Sequence, residues 1–364
     1  MTKFTSYRRI KLRRLSKVLF ALALGAAVAG CNGGGDKTTD SSGSTTGGVT
    51  SGKQLNVGIV YDSGGRGDKS FNDSAYNGLH KAETDLGIKT TPVESKNKSD
   101  YEPNLDSLAD SGVDLIIAVG SDMKDAVEAV APKYPKVKFA TIDASVKGDN
   151  VRSLLFKEEE GSFLAGYCAG LVTKTNKLGF VGGEEIPLIK KFEVGYTAGA
   201  KTANPAIEVL PAKYTGNWDN VDDGKAAARV LFSSGADIVY SAAGRAGLGV
   251  IGEAQDENKF AIGVDSDQDD VSKGHVLTSM VKHVDNAVYS TIQDLKNGKF
   301  TPGDTVYDLK AGGVGLSPMT YTKDIVGQKN LDKIKAISDD ISSGKIKVPS
   351  TQAELDTYLA SAKK

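Results

Sequence analysis

The chain has little of what most reactive centres are built from. Its 364 residues include two cysteines, three histidines and one tryptophan. The histidines, His80, His275 and His283, form no HExxH or other close pair, so no metal is expected and each reads as a surface residue. No GxSxG elbow is present to carry a hydrolase nucleophile. The GxxxxGK[ST] pattern also fails, because Asp68 separates the last glycine of its loop from Lys69 and would repel phosphate. No apolar run is long enough to span a bilayer. Acidic and basic residues nearly cancel over the whole chain, 46 against 45. Residues 1–30 hold seven bases and no acid, so the remainder carries 38 bases against 46 acids, a net of about −8. That excess argues against a nucleic-acid partner.

The two cysteines sit in contrasting surroundings. Cys168 lies in the apolar helical stretch Phe163–Leu171 and is expected to be a buried, inert thiol. Cys31 follows a basic stretch (Arg8, Arg9, Lys11, Arg13, Arg14, Lys17) and the apolar run Val18–Gly30. Thirteen residues are too few for a stable transmembrane helix, so residues 1–30 read as a secretion signal. Its end, Val28-Ala29-Gly30-Cys31, resembles the bacterial lipobox, in which cleavage frees the cysteine amine and lipid is attached to the sulfur. Residues 31–52 are rich in Gly, Ser and Thr and read as a flexible tether. Together they suggest a soluble domain held by lipid on Cys31 at a membrane surface of the cell envelope, facing outside the cytoplasm.

The mature part contains a repeat. Gly112-Val113-Asp114-Leu115-Ile116-Ile117-Ala118 is followed by Lys138-Phe139-Ala140-Thr141-Ile142-Asp143. Gly235-Ala236-Asp237-Ile238-Val239-Tyr240-Ser241 is followed by Lys259-Phe260-Ala261-Ile262-Gly263-Val264-Asp265. The spacing suits a βαβ unit. The expected class is therefore α/β, with two doubly wound βαβ lobes joined by a hinge. Ligands of such sheets bind beyond the carboxyl ends of the strands, where Asp143 and Asp265 stand. The expected first lobe comprises residues 53–144 plus about 270–316. The second comprises residues 145–269, and residues 317–364 pack on the lobes.

Several motifs fit a binding cleft. The loop Asp62–Asn72 joins the first strand to its helix, and its three glycines permit close approach of backbone to a ligand. Asp68 or Ser70 also suits the role of helix cap. Arg66-Gly67-Asp68 spells an adhesion tripeptide, which by itself means little. Phe71 opens the helix, and Trp218 stands in the polar loop Thr215-Gly216-Asn217-Trp218-Asp219-Asn220. One aromatic from each lobe can sandwich a flat ring. Asp143 and Asp265 can serve as cleft acids or as caps for the following helices. Lys282, at a strand end, reads by itself as a solvated charge. The acids after Asp265 alternate as in a calcium loop, but the sixth position lacks glycine and the twelfth lacks glutamate.

The segments Asp62–Asn72, Gly182-Gly183-Glu184-Glu185-Ile186-Pro187, Ala242-Ala243-Gly244-Arg245-Ala246-Gly247 and Gly263-Val264-Asp265-Ser266-Asp267-Gln268 closely resemble the basic membrane protein family. These are substrate-binding lipoproteins of bacterial ABC importers with the type I periplasmic-binding-protein fold, and their best understood members bind purine nucleosides. The resemblance implies that Phe71 stacks on the base and that Asp62 and Asn72 bond its polar edge. It implies that Asp143, Asp265, Lys282 and the backbone near Gly244 hold the ribose. Trp218 stands where the family usually has phenylalanine, and Arg245 where a small residue is common. The implied partners are a nucleoside, a permease and an ATPase, with the receptor itself a monomer. It implies no catalysis and no cofactor. A sugar binder of the ribose type, a nucleoside hydrolase and a purely structural envelope protein are the competing readings.

Overall fold

The computed structural model describes residues 54–361. The first part of the chain runs β1 (Asn56–Tyr61), α1 (Phe71–Leu86), β2 (Lys89–Glu94), α2 (Tyr101–Asp110), β3 (Leu115–Val119), α3 (Lys124–Val130), β4 (Lys138–Ile142) and β5 (Val151–Phe156). The middle runs α4 (Glu158–Val172), β6 (Lys177–Gly182), α5 (Pro187–Ala203), β7 (Glu208–Val209), β8 (Lys213–Tyr214), α6 (Val221–Ser233), β9 (Ile238–Ala242), α7 (Gly247–Asp256), β10 (Phe260–Asp265) and β11 (Val276–Lys282). The last part runs α8 (Val284–Lys296), β12 (Gly303–Tyr307), β13 (Val314–Leu316), α9 (Lys323–Val326), α10 (Gln328–Ser342) and α11 (Gln352–Ser361).

Two sheets result. The first has the order β12-β5-β4-β3-β1-β2, and the second β13-β11-β10-β9-β6-β7, with β8 also on β6. Every pairing is parallel except that of β13 with β11. The inner strands are buried along most of their length and carry mainly apolar residues, as strands covered on both faces do. All five residues of β3 are buried, and so are all five of β9. Lys89-Thr90-Thr91-Pro92-Val93-Glu94 is polar and contains a proline, which suits the edge that β2 occupies.

The repeat seen in the sequence is β3–β4 and β9–β10, which hold matching places in the two sheets. The expected lobe boundaries require correction beyond this point. Val151–Phe156, assigned to the second lobe, pairs with β4 in the first sheet. Val276–Lys282, assigned to the first, pairs with β10 in the second. Within 303–316, β12 joins the first sheet and β13 the second. The physical reason is the same in both lobes. The fourth strand reaches the fifth through a loop (143–150 and 266–275) without the crossover helix that usually announces a parallel neighbour.

Three segments consequently cross between the lobes: β5 to α4, β11 to α8, and 308–313. They are bonded to one another, Lys157 N to Tyr307 O at 3.0 Å and His283 N to Gly313 O at 2.9 Å. After its crossing, α8 packs on α1. The terminal helices α10 and α11 pack on α4 and α5, so the C-terminal segment belongs to the second lobe. No helix among the described residues is long and apolar enough to cross a membrane. The signal, the tether and Cys31 lie outside the described residues.

Candidate functional site

A cleft opens between the carboxyl ends of the two sheets. All eight residues expected at the ligand line it: Asp62, Phe71, Asn72, Asp143, Trp218, Gly244, Asp265 and Lys282. Its atom-free space is about 590 Å³, part of it open to solvent.

The β1–α1 loop is built around Asp68. Its carboxylate accepts from the backbone N–H groups of Ser70 (2.9 Å), Asn72 (2.8 Å) and Asp73 (3.1 Å). Asp68 is therefore the cap of α1, and Ser70 makes no such bond. Because the Asp68 carboxylate is fully buried, Arg66-Gly67-Asp68 cannot present its acid to an outside receptor. The cap sets Phe71 and Asn72 at the first turn of α1, beside the cleft. Asn72 Nδ2 donates to Asp62 Oδ1 at 2.8 Å, and Gly64 N donates to the same oxygen at 2.9 Å. Burial pushes Asp62 up to about 7 against these two hydrogen bonds.

Asp143 follows β4 and Asp265 closes β10. Burial raises Asp143 to about 6, with Lys282 pulling it down and Glu158 adding to the rise. Burial raises Asp265 to about 7, opposed by Lys282 and by the bond from Ser70. That bond, Ser70 Oγ to Asp265 Oδ2 at 2.5 Å, joins the lobes. Asp143 Oδ1 and Asn72 Oδ1 are buried acceptors without a donor in the protein.

Lys282 is not the solvated charge that its strand-end position suggests. Its side chain is 1% exposed. The ammonium lies 2.5 Å from Asp143 Oδ2 and 3.3 Å from Glu158 Oε1. It also faces the rings of Phe71 (5.1 Å), Phe156 (4.9 Å) and Phe192 (5.7 Å). Burial works to lower its pKa, but Asp143, Glu158 and Asp265 outweigh that and the net shift is upward. Lys282 is therefore charged, and its charge is already matched.

Trp218 is held from below by a loop that its own sequence explains. Asn217 Nδ2 donates to Thr215 O (3.0 Å) and Asp223 Oδ2 (2.8 Å), and Asn217 Oδ1 accepts from Asn220 N (2.9 Å). Asn220 in turn caps α6. Gly183 leaves room for the ring: a Cβ there would lie 2.2 Å from Cζ3 of the indole.

Sequence reasoning missed Gly64, Gly120, Ser121, Asp122, Leu188, Ile189, Phe192, Ala242 and Val264 in the lining. It also missed Glu158, which grips Lys282. Gly120, Ser121 and Asp122 stand at the carboxyl end of β3, where the rule that singled out Asp143 applies equally. Phe192 and Glu158 lie within helices and carry no such signal. Cys168 is fully buried and its thiol is pushed up to about 12 by burial, as an inert core residue should be. Asp269, in the run resembling a calcium loop, bonds Ser317 and Thr320 N. Among the described residues no His, Cys, Asp or Glu cluster could hold a metal ion.

Residues 55–352 match the family described as Bmp, ABC transporter substrate-binding protein PnrA-like. The chain belongs to this family. It is 36% identical over 368 residues to the ABC transporter nucleoside-binding protein BmpA of Lactococcus lactis, covering 94% of this chain and 100% of that protein. It is 37% identical over 358 residues to the CD4+ T-cell-stimulating antigen of Listeria innocua, covering 92% of this chain and 99% of that one. An ABC transporter solute-binding protein from Aeropyrum pernix has the same fold, with a TM-score of 0.76 at 30% identity over 83% of this chain and 96% of that one. This Bmp family member is thus a substrate-binding protein of an ABC transporter and not an enzyme. Its two doubly wound lobes are the type I periplasmic-binding-protein fold. Membership implies a small-molecule ligand and a permease that receives it.

Proposed function

We propose that this protein is a lipid-anchored receptor that binds purine nucleosides in the interlobe cleft and delivers them to its permease. The observation that carries the reading is the pairing of aromatic walls with a matched lysine. Phe71 from the first lobe and Trp218 from the second line the same cavity as Asp62, Asp122, Asp143, Asp265 and Lys282. Among these lining residues Lys282 is the one cation, and Asp143 and Glu158 already neutralise it. A phosphate would meet four acids and no available positive charge, so a neutral ligand fits and a nucleotide does not. The flat base lies between the rings. Its polar edge meets Asp62 and Asn72. The 2′ and 3′ hydroxyls donate to Asp143 and Asp265, near Gly244 and Lys282. Lipid on Cys31 holds the receptor at the membrane, outside the cytoplasm.

Relatives support the ligand class: one of them is named a nucleoside-binding protein. A free sugar would leave the aromatic pair without a partner, so Trp218→Ala would then scarcely change affinity. Calorimetric titration of the chain from Lys53 onward with guanosine, inosine, adenosine, cytidine and ribose tests the proposal. Binding of a purine nucleoside at about −8 kcal/mol or stronger, with none of ribose, supports it. Silence toward every nucleoside from folded protein stripped of carried-over ligand overturns it.

A further inference from the structure

Trp218 touches more than the cavity it lines. Its indole Nε1 donates to Asp122 Oδ2 at 3.3 Å. Asp122 lies on the 3-10 turn Ser121–Met123 that follows β3, in the first lobe, whereas Trp218 belongs to the second. The same Asp122 oxygen lies 3.0 Å from Lys98 Nζ. Lys98, also of the first lobe, reaches back to Glu184 of the second, 2.9 Å from Oε1 and 3.0 Å from Oε2. Four side chains therefore make one continuous bridge that crosses the cleft twice. Glu184 adjoins Gly183, whose bare backbone lies against the indole. The ring is thus backed on one side by Gly183 and held at its N–H edge by Asp122.

We propose that Asp122 is the positioning residue for Trp218. It fixes the rotation of the indole when the lobes are closed, and with Lys98 and Glu184 it forms a latch that slows their opening. The two arms are unequal. The Lys98 side chain is 53% exposed, so its ion pairs are screened by salt and contribute little. The Asp122 side chain is 17% exposed, and its bond from the indole is charge-assisted and shielded by the ring itself. The indole arm dominates. A phenylalanine at position 218 would keep a stacking surface and lose the latch, because a phenyl ring has no N–H to donate. The inference rests on Trp218 forming a wall of the ligand cavity and not on which ligand fills it.

A single tryptophan in the chain makes the bond directly observable. The intact protein, labelled with 15N in tryptophan, gives one indole N–H resonance, to be recorded with and without guanosine. Asp122→Ala is expected to shift that resonance upfield and to speed its exchange with water. Guanosine dissociation, followed by stopped-flow, should quicken about three- to tenfold in Asp122→Ala and in Trp218→Phe, the range for one charge-assisted bond at a half-open site. The double variant should quicken dissociation by less than the product of the two single effects. Lys98→Ala should change the rate less than Asp122→Ala, and the gap should widen as salt is raised. An indole resonance unchanged by Asp122→Ala in both conditions would overturn the latch, as would additive effects of the two substitutions. If the native chain binds no nucleoside, the nucleoside reading falls and the indole resonance alone still decides the latch.

Discussion

Asp143 and Asp265 adopt the same unusual backbone conformation at the same place in the two lobes, with φ of 67° and 64°. Few residues with a side chain tolerate that left-handed region, and aspartate is among the less disfavoured. The turn brings both carboxylates to the cavity from opposite sheets. If they hold ribose hydroxyls, Asp265→Ala should cost on the order of 2–4 kcal/mol of nucleoside binding. Part of that loss comes from the lobe contact with Ser70. Ser70→Ala isolates it and should cost about 1 kcal/mol. Titration calorimetry on both variants separates the two contributions, and an unchanged affinity in Asp265→Ala removes the assigned role.

Lys282 holds two buried acids, so its removal should be felt in the fold even without ligand. Lys282→Met keeps the volume and leaves Asp143 and Glu158 without their cation. Breaking a buried pair in this way costs roughly 3–5 kcal/mol. Asp143, whose pKa burial already raises to about 6, can escape by taking up a proton, so the cost should be smaller at pH 5 than at pH 8. Denaturant unfolding of the ligand-free protein at both pH values checks the size and the trend. A loss that does not depend on pH would mean that Asp143 stays charged or is not coupled to Lys282.

Asp62 makes a cleaner pH probe, because it pairs with an amide and not with a lysine. Its folded pKa stands at about 7, above its ordinary value, through burial. Between roughly pH 4 and 7 the native state keeps a proton that the unfolded chain has released, so stability falls as pH rises through this window and levels off above it. Asp62→Asn lacks that dependence. The stability of Asp62→Asn relative to the native sequence should therefore climb from pH 5 to pH 8. Thermal melts across that range measure it, and a flat difference would mean that Asp62 is ionised throughout in the folded protein.

The cleft was more legible in the sequence than the lobes were. Phe71, Asp143, Trp218 and Asp265 sit at strand ends, in a polar loop or at the opening turn of a helix, where local rules apply. The family resemblance supplied Gly244 and Lys282, and with them the ligand roles of Asp62 and Asn72, which the loop itself did not announce. The places of β5 and β11 were not legible, because no helix precedes either strand and neighbours in a sheet are chosen by tertiary packing. The state of Lys282 was hidden for a related reason. A strand-end lysine is solvated by default, and only the fold brings Asp143, Glu158 and three aromatic rings around it. Asp122 could have been found by extending the strand-end rule to β3.

Helices α4 and α5 lie against each other through glycines, and this contact should control the site from a distance. A Cβ on Gly199 would lie 1.9 Å from Phe163 O, and one on Gly166 would lie 2.0 Å from Tyr196 O. Both obstacles are backbone, which cannot rotate away, so alanine at either position must push the helices apart. Overpacking of this kind costs about 1–3 kcal/mol or more. The first residue of α4 is Glu158, which grips Lys282, so Gly199→Ala should weaken ligand binding as well as the fold. Gly252 in α7 is the control. A Cβ there would meet nothing within 4 Å, and replacing a helical glycine by alanine without a clash gains about 0.4–1 kcal/mol. Unfolding and titration of the two variants should therefore move in opposite directions in stability, with affinity lost only in Gly199→Ala. Equal stability of both would show that the α4–α5 contact yields without strain.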